Sequence, residues 1–476
     1  MAFKSLREFI GKLEAEGELT RVAAEVSPRL EITEYTDRVC KAGGPALLFT
    51  NVKGAEWPVL MNAFGSMRRM AMALGVDDVE SVAHEIEALL AKQPPTTLRD
   101  KVKALLQLFH LSRYAPRTVK TGPCKEVVER EPDLGTLPVL TCWPQDGGPF
   151  ITLPMVFTRH PETGQRNVGM YRMQVYGPRE TGMHWHVHKV GAEHYRRYEV
   201  RGERMPVAAA LGGDPAMTYA ATAPLPEAVD EVYFAGFLRK KGVELVRCET
   251  SELEVPADAD FVLEGYVEPG ERRREGPFGD HTGYYSLADD YPVFHVECIT
   301  RRAEPIYPAT VVGRPPMEDC FMAKTTERLF LPMLRAVVPE IVDINLPIEG
   351  VFHNLALVSI RKQFPFHARK VMHALWGLGQ MMFTKAIVVV DEEVNVQDTS
   401  EVVWRVTNNI DPRRDITFTE GPADVLDHAA ERATFGTKIG IDGTKKWPSE
   451  GFLREWPDAI EMTPEVRRRI DEIFGG

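Results

Sequence analysis

Two carboxylic acids, Glu275 and Asp280, lie five residues apart in the stretch Glu-Gly-Pro-Phe-Gly-Asp-His-Thr-Gly-Tyr-Tyr. Its glycines and proline exclude a helix interior and let the backbone pass close to a ligand. Acids on such a tight loop can transfer protons, provided that burial raises the pKa of one of them toward neutrality. The alternative is a solvated turn whose carboxylates accept hydrogen bonds from backbone amides.

Three histidines alternate upstream of this stretch, in His184-Trp-His186-Val-His188. On a strand, the side chains at i and i+2 share a face, so a strand here would point all three the same way. That arrangement is compatible with a metal site, for example in a zinc hydrolase. It is equally compatible with hydrogen-bonded histidines on a polar strand face. The segment Asn167-Val-Gly-Met-Tyr-Arg172 precedes them and adds an amide and a guanidinium.

The composition limits the class of protein. With 476 residues, 44% of them apolar and 26% charged, the chain is typical of a soluble globular protein with about two to four domains. A net charge of −12 argues against a nucleic-acid partner. Six scattered cysteines without CxxC spacing predict reduced thiols in a cytoplasmic protein. No apolar run reaches the ~18 residues that would span a bilayer, although peripheral contact with the inner face of the cell membrane stays open.

Hydrophobic periodicity divides the chain into three predicted parts. Residues 1–115 mix helical and short strand patterns, with a predicted linker at Gln93-Pro-Pro-Thr-Thr97. Residues 116–310 have a period of two, which predicts a β-rich sheet or barrel domain. Residues 311–476 alternate strands and helices, as in an α/β layer domain. The predicted fold class is therefore mixed α/β (α+β), and the last helix, Thr463 to Phe474, is of the kind that packs on a partner subunit.

Seven motifs together resemble the UbiD family of non-oxidative decarboxylases, in particular the branch that acts on polyprenyl-4-hydroxybenzoate in ubiquinone synthesis. They run in family order over almost the full length: Gly43–Phe49, Thr141–Pro144, Asn167–Arg172, Glu275–Gly283, Gly313–Pro316, Asp391–Asn395 and Lys445–Pro448. The resemblance implies a central split β-barrel-like domain that binds prenylated FMN. It also implies a flavin prenyltransferase as supplier of that cofactor, and a homo-oligomer.

The resemblance further implies a divalent metal, usually Mn²⁺, that tethers the flavin phosphate, with K⁺ as an additional candidate ion. By position, Asn167, His188 and Glu231 match the metal ligands of the family. Amide, imidazole and carboxylate groups, with a phosphate oxygen, suit Mn²⁺ or Mg²⁺. His184 and His186 are then not ligands. Residues that match flavin-contacting positions of relatives are Met170, Tyr171, Arg172, His184, Trp185, His186, Lys189 and Val190.

The same resemblance makes Arg172, Glu275 and Asp280 the catalytic residues. Arg172 would hold the substrate carboxylate and pair with Glu275, while Asp280 would deliver the proton that replaces CO₂ or first remove the phenolic proton. A desolvated aspartate beside a second acid predicts a raised pKa for Asp280. The alternative for Arg172 is a structural ion pair.

The chain departs from the ubiquinone branch in the flavin segment. His184 and Val187 replace an Arg and a Ser, and Lys189-Val-Gly191 replaces Arg-Gly-Gly. These departures leave the substrate open. The first prediction is decarboxylation of 3-polyprenyl-4-hydroxybenzoate, and the alternative is a menaquinone-route naphthoate or a small aromatic acid. More remote alternatives are a non-catalytic carboxylase subunit and a metal-dependent hydrolase built on the three histidines.

Overall fold

A computed structural model describes residues 2–91, 112–226 and 229–475. The predicted linker at 93–97 lies outside these residues. The α-helices in the described ranges are Leu6–Ala15, Glu31–Lys41, Met67–Leu74, Val79–Leu90, Val190–Arg201, Pro215–Ala220, Glu231–Leu238, Glu318–Val337, His367–Trp376, Thr399–Asn409, Pro412–Asp415 and Pro464–Phe474. Short 3₁₀ helices span Pro123–Lys125, Leu134–Thr136, Ile348–Gly350, Gly379–Phe383 and Pro448–Glu450.

The N-terminal part packs helices against a small sheet. Its strands lie in the order Leu19–Val22, Ala46–Phe49, Val59–Met61 and Tyr307–Pro308. Ser5 caps the N-terminus of the first helix. Its backbone is extended, and its Oγ accepts a hydrogen bond from the amide of Glu8, which has no partner within the helix. The strand Tyr307–Pro308 pairs in parallel with Val59–Met61. The chain thus returns to the first sheet after completing the central part.

The central part is a half-barrel built from an antiparallel sheet, as its period-two pattern predicts. The strands lie in the order Phe150–Ile151, Met173–Gly177, Glu180–Gly182, Asp289–Arg301, Phe261–Glu275, Met205–Leu211, Met155–Arg159 and Arg166–Met170, with Val127–Glu129 pairing to Asp289–Arg301. A separate sheet contains Glu254–Pro256, Glu244–Arg247 and Arg117–Val119. Alternate side chains of one central strand enter two different apolar clusters, Ala208 and Ala210 in one, Val207 and Ala209 in the other.

One long hairpin of the half-barrel presents the acidic motif. Its strands, Phe261–Glu275 and Asp289–Arg301, pair from Phe261 opposite Arg301 to Glu275 opposite Asp289. The loop between them contains a small ladder of Phe278–Gly279 with Tyr285–Ser286. The motif is therefore a tight structured loop rather than a solvated turn, and it starts from a fixed strand end.

The histidine-rich segment is not a strand, which is the condition under which its three histidines would share a face. After the strand Glu180–Gly182, residues 183–189 run as irregular chain and a turn into the helix Val190–Arg201. This segment is the connection between the strand and the helix, so its backbone does not pair with the sheet. The three histidines consequently do not share one strand face.

The C-terminal part is the α/β domain that the alternation predicts. Its sheet has the order Ile341–Asn345, Leu355–Ile360, Ala386–Asp391, Phe435–Asp442 and Ile416–Pro422. The terminal helix Pro464–Phe474 buries none of its side chains. Throughout the described ranges, no helix is both long enough and apolar enough to cross a membrane.

Candidate active site

Three elements of the half-barrel place the predicted catalytic side chains. Arg172 lies in the short connection between the consecutive strands Arg166–Met170 and Met173–Gly177, Glu275 ends the long hairpin strand, and Asp280 follows the short strand of its loop. Gly276 has φ +88°, a conformation that side chains with a Cβ rarely adopt, and it turns the chain directly after Glu275. At Gly283, also at positive φ, a Cβ would lie 3.2 Å from the Cα of Arg314.

Arg172 connects the two acids. Its Nε donates to Glu275 Oε1 at 2.9 Å, its Nη2 to Glu275 Oε2 at 3.3 Å, and its Nη1 to Asp280 Oδ2. The side chains of Arg172, Glu275 and Asp280 are only 8%, 0% and 9% exposed. The guanidinium carbon lies 4.6 Å from the ring centroid of Phe278 and 5.9 Å from that of Phe150. The structure therefore brings the three predicted residues into one buried contact group under two aromatic rings.

The raised pKa predicted for Asp280 is wrong for this arrangement. Burial raises the pKa, but the charge of Arg172 and the hydrogen bond and charge of His281 lower it by more, so it lies well below its ordinary value. Burial likewise raises the pKa of Glu275, and His184 and Arg172 lower it below its ordinary value. Both acids are carboxylates here, because a guanidinium lies between the two acids that were expected to repel each other.

The histidines extend this network instead of forming a cluster of three. His184 Nδ1 lies 2.9 Å from Glu275 Oε2, and His184 Nε2 lies 2.6 Å from His186 Nε2. Burial lowers the pKa of both rings, that of His186 to about 2. Within residues 2–91, 112–226 and 229–475, no group of three His, Cys, Asp or Glu side chains could hold a metal. This finding argues against the three-histidine hydrolase.

Two of the three predicted metal ligands lie near each other. Glu231 Oε2 accepts from the amide of Val168 at 3.0 Å, and the adjacent Asn167 is buried. Burial raises the pKa of the Glu231 carboxyl to about 7. His188 instead has its ring centroid 4.6 Å from that of Phe383, and 5.7 Å from that of His186.

The predicted flavin segment lies along a pocket of about 510 Å³. The residues that line it are Val187, His188, Lys189, Val190, Glu193, Arg196 and Arg197. Burial lowers the pKa of Lys189, and the charge of Asp424 opposes this effect. The pocket opens at the N-terminus of the helix Val190–Arg201, where backbone amides and helix dipole favour an anion. The donors around this pocket suit a phosphate group.

The other predicted flavin residues pack beside this pocket. The rings of Tyr171 and Trp185 meet edge to face at 6.3 Å. Trp185 Nε1 is buried without a hydrogen-bond partner, and a Cβ on Gly191 would lie 2.8 Å from it. The backbone amide of Met170 donates to Ala221. An unsatisfied buried indole donor beside a glycine is compatible with a polar ligand atom at this place.

Sequence reasoning missed two residues of the site. Ser286 Oγ accepts from Arg172 Nη2 at 3.0 Å. Asp146 fixes the acidic loop, since its Oδ1 accepts from the amide of Gly279 at 2.8 Å and its Oδ2 from that of Trp143 at 2.8 Å. The polar Ser286 after the motif was a visible signal. Asp146 offered none, because Gln-Asp-Gly-Gly is typical of any turn.

Family models match along most of the chain. They are the N-terminal, Rift-related and C-terminal domains of 3-octaprenyl-4-hydroxybenzoate carboxy-lyase, at residues 10–89, 117–315 and 320–443. An uncharacterized protein of Archaeoglobus fulgidus is 53% identical over 100% of this chain and 98% of its own. The chain belongs to the UbiD family. A second uncharacterized relative, from Aquifex aeolicus, is 49% identical over 99% of this chain and 98% of its own.

Solved UbiD structures have the same fold. The vanillic acid decarboxylase ShVdcCD of Sedimentibacter hydroxybenzoicus, in its closed form, matches with a TM-score of 0.87 and 29% identity over 100% of both chains. The UbiD-class enzyme HmfF of Pelotomaculum thermopropionicum, in complex with FMN, matches with a TM-score of 0.80 and 31% identity over 98% of both chains. The predicted family and fold are confirmed, and the chain is a UbiD-class carboxy-lyase.

Proposed function

We propose that this UbiD-family protein uses prenylated FMN to decarboxylate an aromatic acid, with 3-polyprenyl-4-hydroxybenzoate of quinone biosynthesis as the first substrate to test. The observation that carries the proposal is the buried contact group of Arg172, Glu275 and Asp280. It combines a cation that can bind a carboxylate with an acid that can carry a proton. The complete group argues against a non-catalytic carboxylase subunit.

The residues of the pocket fit the cofactor. When bound, prenylated FMN supplies the electron sink that amino-acid side chains lack. Lys189, Arg196 and Arg197, which line the pocket, would hold its phosphate. Of the proposed Mn²⁺ ligands, His188 lines the same pocket, while Glu231 lies beside the backbone that follows Asn167. A divalent cation would also stabilise the Glu231 carboxylate, which burial now disfavours. HmfF structures hold FMN and, in an evolved dimeric form, prenylated FMN.

The three side chains of the contact group have different roles. Arg172 binds the substrate carboxylate, and Glu275 keeps the guanidinium in place through two hydrogen bonds. Because that carboxylate competes with Asp280 for Arg172, substrate binding weakens the interaction that lowers the pKa of Asp280. The effect of burial, which raises this pKa, then meets less opposition, and Asp280 can hold the proton that replaces CO₂ on the ring. The rings of Phe150 and Phe278 lie against the guanidinium and contribute to its burial.

A small phenolic acid is the second candidate substrate. The three side chains are no more than 9% exposed, under aromatic and polar neighbours. A relative at 29% identity, ShVdcCD, is a vanillic acid decarboxylase. Both observations favour a compact substrate over one with a long tail, and a naphthoate is intermediate in size.

Purification after co-expression with a flavin prenyltransferase tests the proposal. We expect an absorbance spectrum and a released-cofactor mass that match prenylated FMN, with stoichiometric Mn²⁺ and with K⁺ measured in the same digest. CO₂ release is then compared for a prenylated hydroxybenzoate, a naphthoate and vanillic acid. Bound zinc without flavin would contradict the proposal and favour a hydrolase. Bound prenylated FMN without turnover of any acid would favour a non-catalytic subunit.

The terminal helix Pro464–Phe474 is proposed to join copies of the chain. UbiD-class enzymes oligomerise, and this helix exposes Val466, Ile470, Ile473 and Phe474 along one side. An Ile470→Asp, Ile473→Asp variant is expected to form a smaller assembly by light scattering, because two charges would enter the apolar contact. An Arg467→Ala variant of the same helix serves as the control. An unchanged mass for the double variant would contradict this role.

A further inference from the structure

His281 connects the predicted proton donor to the C-terminal domain. Its Nδ1 lies 2.8 Å from Asp280 Oδ1, which also accepts from the backbone amide of His281 at 2.7 Å. Its Nε2 lies 2.9 Å from Nε2 of His353. Both ring nitrogens of His281 are therefore engaged, one by the acid of the half-barrel and one by the other domain.

A turn of the C-terminal domain holds His281 from one side. Val351 and Phe352 have φ of 52° and 48°, a left-handed conformation that is unusual for such side chains. This backbone presents two successive side chains to the same ring. The Phe352 ring stacks on His281 with centroids 5.4 Å apart and an angle of 24°, while His353 takes the hydrogen bond. The imidazole is thus fixed in position and orientation.

The charges around the two rings differ. His281 faces the acids Asp280, Asp319 and Asp424, and although burial lowers its pKa, the hydrogen bond and charge of Asp280 raise it above the ordinary value. Around His353, burial and the charge of His281 lower the pKa to about 4, against the opposing charges of Asp424, Asp280 and Asp427. A neutral His353 can accept through Nε2 from a doubly protonated His281.

We propose that His281 is the proton reservoir of Asp280, holding as an imidazolium the proton that Asp280 delivers to the substrate. This inference rests on the proposed function. The proton moves from His281 Nδ1 to Asp280 Oδ1, which turns an ion pair into two neutral groups, and then from Asp280 to the ring carbon that lost CO₂. Asp280 is left as a carboxylate and His281 as a neutral ring. A proton from water restores the imidazolium once product has left.

The reservoir gives a signed pH dependence. Since the protonated ring is the competent form, kcat of the wild type should be constant at low pH and fall as the pH rises through the raised pKa of His281. His281→Asn keeps a donor for Asp280 Oδ1 but has no proton to transfer. It should lower kcat by about 100-fold, leave KM within about twofold and lose the alkaline fall. A variant with wild-type kcat and pH profile would overturn the proposal.

Variants of His353 separate proton storage from structure. His353→Leu removes the acceptor and should shift the alkaline fall to lower pH, whereas His353→Gln keeps an acceptor and should restore the profile. His428→Leu is the matched control, because that ring packs on Tyr284 in the loop that follows Asp280. Equal profiles for the Leu and Gln variants would overturn the assigned role of His353 in holding the imidazolium.

Histidine NMR of the flavin-free protein tests the reservoir without turnover. We expect His281 to titrate above 6.5 in the wild type and in His353→Gln, and lower in His353→Leu. Titration of His281 below 6.5 in the wild type would overturn the reservoir even in an active decarboxylase. A wild type that decarboxylates no acid but shows the expected titration would overturn the proposed function, and the proton store beside Asp280 would stand.

Discussion

Asp280→Asn is expected to lower kcat by about 10²- to 10⁴-fold while prenylated FMN stays bound. The amide has nearly the shape of the carboxylate and can still accept from Arg172 Nη1, so the contact group should persist. What it loses is the acid that takes a proton from His281 and passes it to the ring carbon. The measurements are kcat with the preferred acid and the flavin-to-protein ratio from absorbance.

The control for this variant is Asp289→Asn. Asp289 lies on the same hairpin, opposite Glu275 in the strand register, and its side chain is 74% exposed. Its loss should leave kcat unchanged. The melting temperatures of both variants test for a folding defect, because Asp280 is buried, whereas a surface substitution such as Asp289→Asn usually changes stability by less than about 0.5 kcal/mol. An Asp280→Asn enzyme with wild-type turnover would remove Asp280 from proton delivery.

The contact group was predictable from the sequence because its residues lie in two short motifs. Glu275 and Asp280 share one loop, and the resemblance added Arg172, which is 103 residues from Glu275 along the chain. The protonation state was not predictable in the same way. The protonation state depends on the position of the Arg172 guanidinium between the two acids. That position cannot be deduced from the separation of the residues in the sequence.

The contact of His281 with His353 could not be predicted from residue spacing in the sequence. The two rings are 72 residues apart in the chain and belong to different domains. The turn that presents His353 depends on positive φ at Val351 and Phe352, and side-chain propensity disfavours that conformation there. The histidine alternation at 184–188 would place three side chains on one face only on a strand. The connection to the next helix, which spacing does not reveal, determines the backbone there.

Glu231→Ala is expected to lose metal and flavin together. The Glu231 side chain is half-buried, accepts from the backbone amide next to Asn167, and is the one anionic side chain among the three proposed Mn²⁺ ligands. Removing even a supporting residue of a metal site typically weakens binding by 10- to 100-fold, so a loss of about 100-fold or more is expected here. Metal is measured by elemental analysis after purification, and flavin by absorbance of the same sample.

The matched control is Glu264→Gln, which alters another buried carboxylate whose pKa burial raises. Its Oε2 accepts from the backbone amides of Glu249 and Thr250, so it supports a turn and should leave metal and flavin unchanged. Flavin retained at wild-type occupancy in Glu231→Ala would contradict the assignment of Glu231 as a ligand.

The stability of the metal-free protein provides an independent check on Glu231. Burial raises the pKa of this carboxyl from 4.5 to about 7, so the folded state favours its protonated form. The contribution of Glu231 to stability is therefore full below pH 4.5 and is lost as the pH rises through about 7.

In Glu231→Ala this part of the pH dependence of melting should disappear. In the wild type, saturating Mn²⁺ should reverse it, because a cation bound to the carboxylate favours the ionised form. If the melting temperature of the wild type at pH 7 is the same with and without Mn²⁺, the metal does not bind at Glu231. This conclusion does not depend on the flavin content of Glu231→Ala.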